Sequence, residues 1–218
     1  MLDQKEIIQK TVAYVQSALL QADGAHDWWH VYRVWQLAKH IAKEEGADTF
    51  VIELSALLHD VADAKLYGGD EEIGVRRIRE FLSSVDISTD VIERVINIII
   101  HLSFRETFHE KEYKSVELFV VQDADRLDAL GAIGIARAFS YGERKGCKIH
   151  DPQIKPNLQM TKEQYVKRES TTINHFYEKL LLLKDQMNTK TGKVIAQERH
   201  AFMEQYLAEF YKEWEGKK

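Results

Sequence analysis

The chain contains little cysteine and little proline. Its 218 residues include one cysteine, Cys147, and two prolines, Pro152 and Pro156. A single thiol excludes both an internal disulfide and a structural zinc site made of several thiolates, and it is typical of proteins that work in the reducing cytoplasm. Because both prolines lie in one segment, no proline interrupts a helix anywhere else in the chain.

Long apolar runs and an excess of positive charge are also missing from the sequence. No stretch approaches the roughly 20 apolar residues that a membrane-spanning helix requires, and the first residues are charged, unlike those of a signal peptide. The formal net charge is −5, so there is no overall basic field to attract a nucleic acid polymer. Hydrophobic residues make up 44% of the chain and charged residues 30%, which is typical of globular proteins with a buried core. We therefore expect a cytoplasmic globular protein that has neither a membrane nor a nucleic acid polymer as its partner.

Apolar residues recur with helical spacing along almost the whole chain, and no convincing alternation typical of a strand occurs. Residues 102–112 and 146–160 are predicted to be loops, and loops as long as the second often form lids or binding sites. The sequence predicts an all-α fold, a single-domain helical bundle over residues 1–218. Its helices are expected at about 3–24, 27–45, 48–60, 70–83, 88–101, 113–130, 133–144, 161–185 and 190–214.

Two clusters of polar residues follow apolar stretches. His59 and Asp60 come directly after the apolar end of a predicted buried helix, and Asp123 and Asp125 follow a pair of valines. Such groups are costly to bury unless they are paired or bound to a cation. With His30 upstream, they supply imidazole and carboxylate ligands, a mixed set that suits Mn²⁺, Mg²⁺, Fe²⁺, Co²⁺, Ni²⁺ or Zn²⁺. The sequence therefore favours a divalent metal site built from two histidines and two aspartates.

Each of these residues has a simpler explanation when it is taken alone. The dipeptide His-Asp occurs three times in the chain, so only its apolar context singles out the second occurrence. His30 alone would be an ordinary histidine on an amphipathic helix, and Asp128 alone would be a surface carboxylate paired with Arg126 or a neighbour. Asp123 and Asp125 do not share a helical face, so at most a subset of the three acids can meet one metal.

Four blocks of sequence strengthen the metal interpretation when they are taken together. They read HDWWH at residues 26–30, HDVADAK at 59–65, IHLSF at 100–104, and QDADRLDALGAIG at 122–134. Their order, H…HD…D, resembles the HD-domain superfamily of metal-dependent phosphohydrolases, and the blocks are most similar to small bacterial HD hydrolases. The resemblance covers at least residues 20–145 and implies an HD-type helical fold.

The resemblance implies that His30, His59, Asp60 and Asp125 are the metal ligands. His26 is a rival for the first position, since it lies four residues before His30 and can share its helical face. Four protein ligands leave two positions of an octahedral ion for water and a phosphate oxygen. In such enzymes the ion makes its water more acidic and polarises phosphorus toward attack.

Three further residues are candidates for catalytic roles. Asp63 follows Asp60 by three residues, so it is a candidate general base or water-orienting group, with a loop-stabilising acid as the alternative. Lys65 is expected either to neutralise substrate phosphate or to be a solvated loop lysine. His101 ends an apolar run and is expected to hydrogen-bond phosphate or to donate a proton to the leaving group, with a second metal as the less favoured alternative.

The predicted function is a metal-dependent phosphohydrolase that acts on small phosphorylated metabolites, with nucleotides as the favoured class. Release of pyrophosphate from a nucleoside or deoxynucleoside triphosphate and dephosphorylation of a monophosphate are both consistent with the ligand set. The alternatives are a cyclic-nucleotide or alarmone phosphodiesterase and a non-catalytic module that binds metal and nucleotide. The C-terminal helices, 161–215, are expected to complete the bundle or to form the face of a homodimer.

Overall fold

The structure, a computed structural model, describes residues 3–20, 27–102, 113–158 and 170–218. Within these residues every regular element is helical and no strand occurs. The all-α fold class predicted from the sequence is confirmed. The α-helices are α1 (Gln4–Ala18), α2 (Trp28–Glu45), α3 (Thr49–Leu58), α4 (Glu71–Ser84), α5 (Thr89–Leu102), α6 (Val116–Leu127), α7 (Gly131–Arg144), α8 (Thr172–Glu178) and α9 (Lys190–Trp214), and 3₁₀ turns cover His59–Ala62, Ala64–Tyr67 and Leu180–Gln186.

Side-chain caps define where the helices around the candidate site begin. The carboxylate of Asp27 precedes α2 and accepts a hydrogen bond from the backbone N–H of His30 at 2.9 Å. Asp48 caps α3 in the same way by accepting from the N–H of Val51 at 3.3 Å. These caps satisfy N–H groups that have no acceptor within the first turn of a helix. The cap of α2 thereby fixes the turn on which His30 lies.

The chain forms two compact units, residues 1–125 and 126–218. In the first unit α3 is the central helix, because it packs against α1, α2 and α5. Its side chains Leu54, Leu57 and Leu58 are fully buried, as expected for a helix that is apolar on nearly all sides. In the second unit α9 packs against α7 and against the turn Leu180–Gln186. That residues 1–218 form a single domain stays a prediction.

No helix in the described part of the chain has both the length and the apolar character needed to cross a membrane.

The prediction of one long helix over residues 161–185 is wrong at the C-terminal end. Residues 161–169 lie outside the described residues, and α8 ends at Glu178. Lys179 leaves the helical region with φ −143° and ψ −59°, and the 3₁₀ turn Leu180–Gln186 follows. Leu180 and Leu183 are both buried. A 3₁₀ turn has three residues per turn and so places residues three apart on one face, which lets both leucines reach the core.

Gly74 sets how closely α4 approaches the turn His59–Ala62. A Cβ atom at this position would lie 2.7 Å from the Cα of Ala62 and 2.9 Å from its carbonyl oxygen. We expect Gly74→Ala to displace this turn and to lower the free energy of unfolding by about 1–3 kcal/mol, the usual cost of overpacking. Thermal unfolding of the variant checks the prediction. Arg76→Ala, at an exposed position of the same helix, is the control, and an equally small effect of both substitutions would contradict it.

Candidate metal centre

Three separate parts of the first unit bring four polar side chains together. His30 lies in the first turn of α2, and His59 and Asp60 open the 3₁₀ turn that follows α3. Asp125 lies near the end of α6. The change from α3 to a tighter turn comes where the apolar run ends, so His59 and Asp60 follow directly on the buried leucines of α3.

The ligand atoms of these residues lie close to one another. The Nε2 atom of His30 is 3.5 Å from Asp60 Oδ2 and 3.4 Å from Asp125 Oδ1, and His59 Nε2 is 3.4 Å from Asp60 Oδ1. One ligand atom from each of His30, His59 and Asp60 lies within 4.8 Å of the other two. Asp125 is not part of that set of three and joins the cluster through His30. Two imidazoles and a carboxylate at these separations surround a point that a single divalent ion can occupy.

Burial differs sharply between Asp125 and the other three residues. The side chains of His30, His59 and Asp60 are 5%, 8% and 10% exposed, whereas that of Asp125 is 45% exposed. Buried polar groups at such a site must be paired or must bind a cation, because leaving them unsatisfied is costly. The exposed side of the cluster is therefore at Asp125.

His59 has the tautomer that a metal ligand needs. Its Nδ1 atom lies 2.8 Å from the carbonyl oxygen of Ala56, and because a carbonyl only accepts, Nδ1 must carry the proton. In the neutral ring Nε2 then has a lone pair. This atom is buried and makes no hydrogen bond to the residues that the structure describes. A second hydrogen bond that fixes tautomer and ring orientation is typical of metal-binding histidines, so these residues fit a divalent ion.

The charges of the cluster favour the ionised form of Asp125. Desolvation alone would raise its pKa, but the hydrogen bond from His30 and the nearby imidazoles of His59 and His30 outweigh it, although Asp60 opposes them. The pKa of Asp125 is therefore held below its usual value. This carboxylate is negatively charged at neutral pH and is ready to bind a cation.

Comparisons with known proteins agree with this geometry. The HD domain family model matches residues 28–130, a range that includes all four clustered residues. The YpgQ protein of Bacillus subtilis (strain 168) is 40% identical over 204 residues, which are 93% of this chain and 91% of YpgQ. This chain belongs to the HD-domain family.

Solved structures extend this similarity over nearly the whole chain. An HD-superfamily hydrolase from Bacillus thuringiensis is 40% identical with a TM-score of 0.80, over 98% of this chain and 99% of that one. The structure of B. subtilis YpgQ in complex with ADP is 37% identical with a TM-score of 0.74, over 96% of both chains. The HD-type bundle predicted from the sequence is therefore the fold of this chain, and the chain has the fold of a metal-dependent phosphohydrolase.

Two other residues singled out in the sequence, His101 and Asp63, are described by the structure and do not supply any of the three close ligand atoms. His101 is at the end of α5, where its Nδ1 lies 2.7 Å from the carbonyl oxygen of Asn97, so its ring orientation and tautomer are also fixed. Asp63 ends the turn His59–Ala62, and its N–H donates to the carbonyl of Asp60 at 3.1 Å. The side chain of Lys65 and the whole of His26 lie outside the described residues.

The expectation that Asp128 is a surface carboxylate is wrong. Asp128 is buried and accepts a hydrogen bond from Arg137, while Arg126 donates to the carbonyl of Gln186. Sequence reasoning missed Arg137, since nothing in the local sequence distinguishes it from other arginines of an amphipathic helix. One signal was present in the spacing. Asp128 lies in the short connection 128–130 between α6 and α7, and Arg137 follows it by nine residues. Such a connection brings neighbouring helix ends together.

Proposed function

We propose that this protein is a metal-dependent phosphohydrolase whose substrates are nucleotides, and that His30, His59, Asp60 and Asp125 hold the metal. The observation that supports the proposal most strongly is the convergence of three buried ligand atoms within 4.8 Å, with a fourth, exposed carboxylate beside them. A divalent ion at this place would act as a Lewis acid toward phosphate and would generate a nucleophile from water near neutral pH.

The nucleotide part of the proposal draws on a relative. The B. subtilis protein YpgQ has been crystallised with ADP, and this chain matches that structure over 96% of its length. A nucleotide has the phosphate oxygens that a divalent metal ion binds. The exposure of Asp125 gives a phosphate group a route to the cluster from solvent, while the other three residues keep the far side closed.

A nucleotide panel tests the proposed activity. The protein is incubated with Mn²⁺, Mg²⁺, Co²⁺, Ni²⁺ or Zn²⁺ and with nucleoside and deoxynucleoside mono-, di- and triphosphates, and products are identified by chromatography. We expect release of phosphate or pyrophosphate that stops when a chelator removes the metal and resumes when the metal is restored. Cyclic nucleotides and alarmones are included in the same panel, and hydrolysis confined to them would replace the proposed substrate class. Binding of nucleotides with no turnover in any metal would favour the non-catalytic module and contradict the proposal.

Within this function, we propose that His101 interacts with the phosphate or donates a proton to the leaving group. Its Nδ1 is held by the carbonyl of Asn97 at 2.7 Å, so Nε2 is the nitrogen that gains or loses a proton. The ring also lies against that of Tyr113, with 5.4 Å between centroids. A ring held at two sides keeps its remaining nitrogen in a fixed direction, which proton transfer requires. Asp63 as a water-orienting group and Lys65 as a phosphate-binding group stay predictions.

We expect His101→Gln to lower kcat by about 10²–10⁴-fold, the usual contribution of a positioned proton donor. Metal content and affinity should be unchanged, because His101 is not one of the three close ligands. The measurements are steady-state kinetics and metal analysis of the purified variant. His40→Gln, at an exposed position of α2, is the control. Loss of bound metal in His101→Gln would contradict this role and favour a metal ligand instead.

A further inference from the structure

A cavity in the second unit is built from residues that the metal centre does not use. Its volume is about 320 Å³, and its walls include His150, Lys155, Tyr211 and Trp214. Small-molecule pockets in proteins measure roughly 300–1,000 Å³, so this cavity has room for a small ring system with few substituents. Every described residue that lines it belongs to the unit 126–218.

Aromatic rings form one side of the cavity. The His150 imidazole lies nearly perpendicular to the rings of Trp214 and Tyr211, with centroid distances of 4.9 Å and 5.5 Å. Trp214 is also stacked on Phe210 at 5.8 Å, yet 49% of it is exposed. These contacts hold the indole in place while about half of its surface is open. An exposed, fixed aromatic face is suited to stacking against a flat ligand.

Hydrogen bonds also hold the loop residues at the cavity in place. The buried side chain of Asn174 donates from Nδ2 to the carbonyl of Ile154 at 2.8 Å, and both residues line the cavity. Asp151 accepts from the N–H of Gln153 at 3.0 Å and pairs with Lys148 at 2.8 Å. A loop that is already ordered loses less conformational entropy when a ligand binds.

The polar groups of the cavity offer both donors and acceptors. Burial and, to a lesser extent, Lys155 lower the pKa of His150, although Asp151 opposes them, so its ring is neutral at pH 7. Its Nδ1 is buried and has no hydrogen-bond partner among the described residues. In a neutral imidazole one nitrogen donates and the other accepts, so His150 can offer one hydrogen bond of each kind. The Lys155 ammonium is a second donor, and the Glu215 carboxylate is an acceptor.

We propose that this cavity is a second ligand site, which binds the base of a free nucleoside. A nucleobase is flat, so it can stack on the exposed indole of Trp214, and its edge has both N–H donors and acceptors that complement Glu215, Lys155 and the His150 imidazole. The cavity volume suits one base and its sugar. Among the described residues that line the cavity, Lys155 is the one lysine or arginine, and Glu215 is already paired with Lys217, so the lining has too little positive charge to favour a polyphosphate.

Adenosine, guanosine, cytidine and thymidine are the probes for this site, because they have no phosphate to bind the metal centre. We expect at least one of them to bind the full-length, chelator-treated protein in isothermal titration calorimetry. Trp214→Ala should weaken that binding by about 10- to 100-fold, since stacking of a base on an aromatic ring is worth about 1–3 kcal/mol. Phe202→Ala is the control, because Phe202 lies on the same helix and is 48% exposed but does not line the cavity.

A second readout measures binding to the wild-type protein rather than to Trp214→Ala. The chain has four tryptophans, and the indole N–H signal of Trp214 is assigned in the NMR spectrum by its loss in Trp214→Phe. We expect the nucleoside to shift this signal in the wild-type protein. We also expect His59→Ala, which changes the metal centre, to bind the nucleoside with the same affinity as the wild-type protein. Absence of binding by all four nucleosides, binding that Trp214→Ala does not weaken, or binding lost in His59→Ala would overturn the proposal. None of these results depends on whether the metal centre hydrolyses nucleotides.

Discussion

Asp60→Asn is expected to abolish hydrolysis, with kcat/KM reduced by about a thousandfold or more. The substitution keeps the shape of the side chain but removes the negative charge that lies 3.5 Å from His30 Nε2 and 3.4 Å from His59 Nε2. A catalytic metal contributes several kcal/mol to transition-state stabilisation, and each 1.4 kcal/mol or so corresponds to a factor of ten in rate. Metal content of the purified variant should fall in parallel with activity. Steady-state kinetics and metal analysis measure the two effects.

Asp70→Asn is the matched control for this experiment. Asp70 caps α4 by accepting hydrogen bonds from the N–H groups of Glu72 and Ile73, and asparagine serves as an N-cap about as well as aspartate. This variant should therefore keep both its activity and its metal. If Asp60→Asn retained normal turnover, Asp60 would not be a metal ligand, and the assignment of the centre would be wrong.

Leu57→Ala is expected to have the largest effect on stability, a loss of about 2–5 kcal/mol in the free energy of unfolding. Leu57 is fully buried on α3, which packs against α1, α2 and α5. Truncation removes buried apolar surface and leaves a cavity that the surrounding helices cannot close completely. Because natural domains are stable by only about 5–15 kcal/mol, we also expect a clear fall in the thermal midpoint. Denaturant titration gives the free energy directly.

The same substitution at an exposed leucine is the control, because it removes the same atoms without leaving a cavity in the core. Leu182 is 45% exposed, so Leu182→Ala should change the free energy of unfolding by less than about 0.5 kcal/mol. Equal losses in the two variants would show that α3 is not the central helix of its unit. Since His59 comes directly after the last residue of α3, Leu57→Ala should also lower metal affinity at temperatures where the protein is still folded.

The elements with clear periodicity and caps were predictable from the sequence. Asp27 and Asp48 mark the beginnings of α2 and α3, and helix α9 has the bounds expected for it, Lys190–Trp214. The grouping of His59 and Asp60 with His30 was also accessible, because polar groups at the end of a buried helix need a partner or a cation. Such patterns involve residues that are close together in the sequence, so they can be recognised from one sequence alone.

The parts that sequence reasoning missed depend on contacts between distant residues. The break at Lys179 places Leu180 and Leu183 in the core, and no local signal distinguishes that arrangement from a continuing helix. The burial of Asp128 depends on Arg137 from the next helix. The difference in exposure between Asp125 and His30 likewise follows from packing, since both residues lie on amphipathic helices whose spacing alone does not fix how far each side chain is covered.

Anomalous diffraction from crystals soaked with Mn²⁺ tests the central claim most directly, because it locates the ion without reference to activity. We expect one strong peak at about 2 Å from His30 Nε2, His59 Nε2 and a carboxylate oxygen of Asp60, the ordinary length of such bonds, with Asp125 on its exposed side. The peak should be absent in Asp60→Asn crystals treated in the same way. A peak bound by other residues, or no peak at saturating metal in the wild-type protein, would contradict the claim that these side chains form a metal centre.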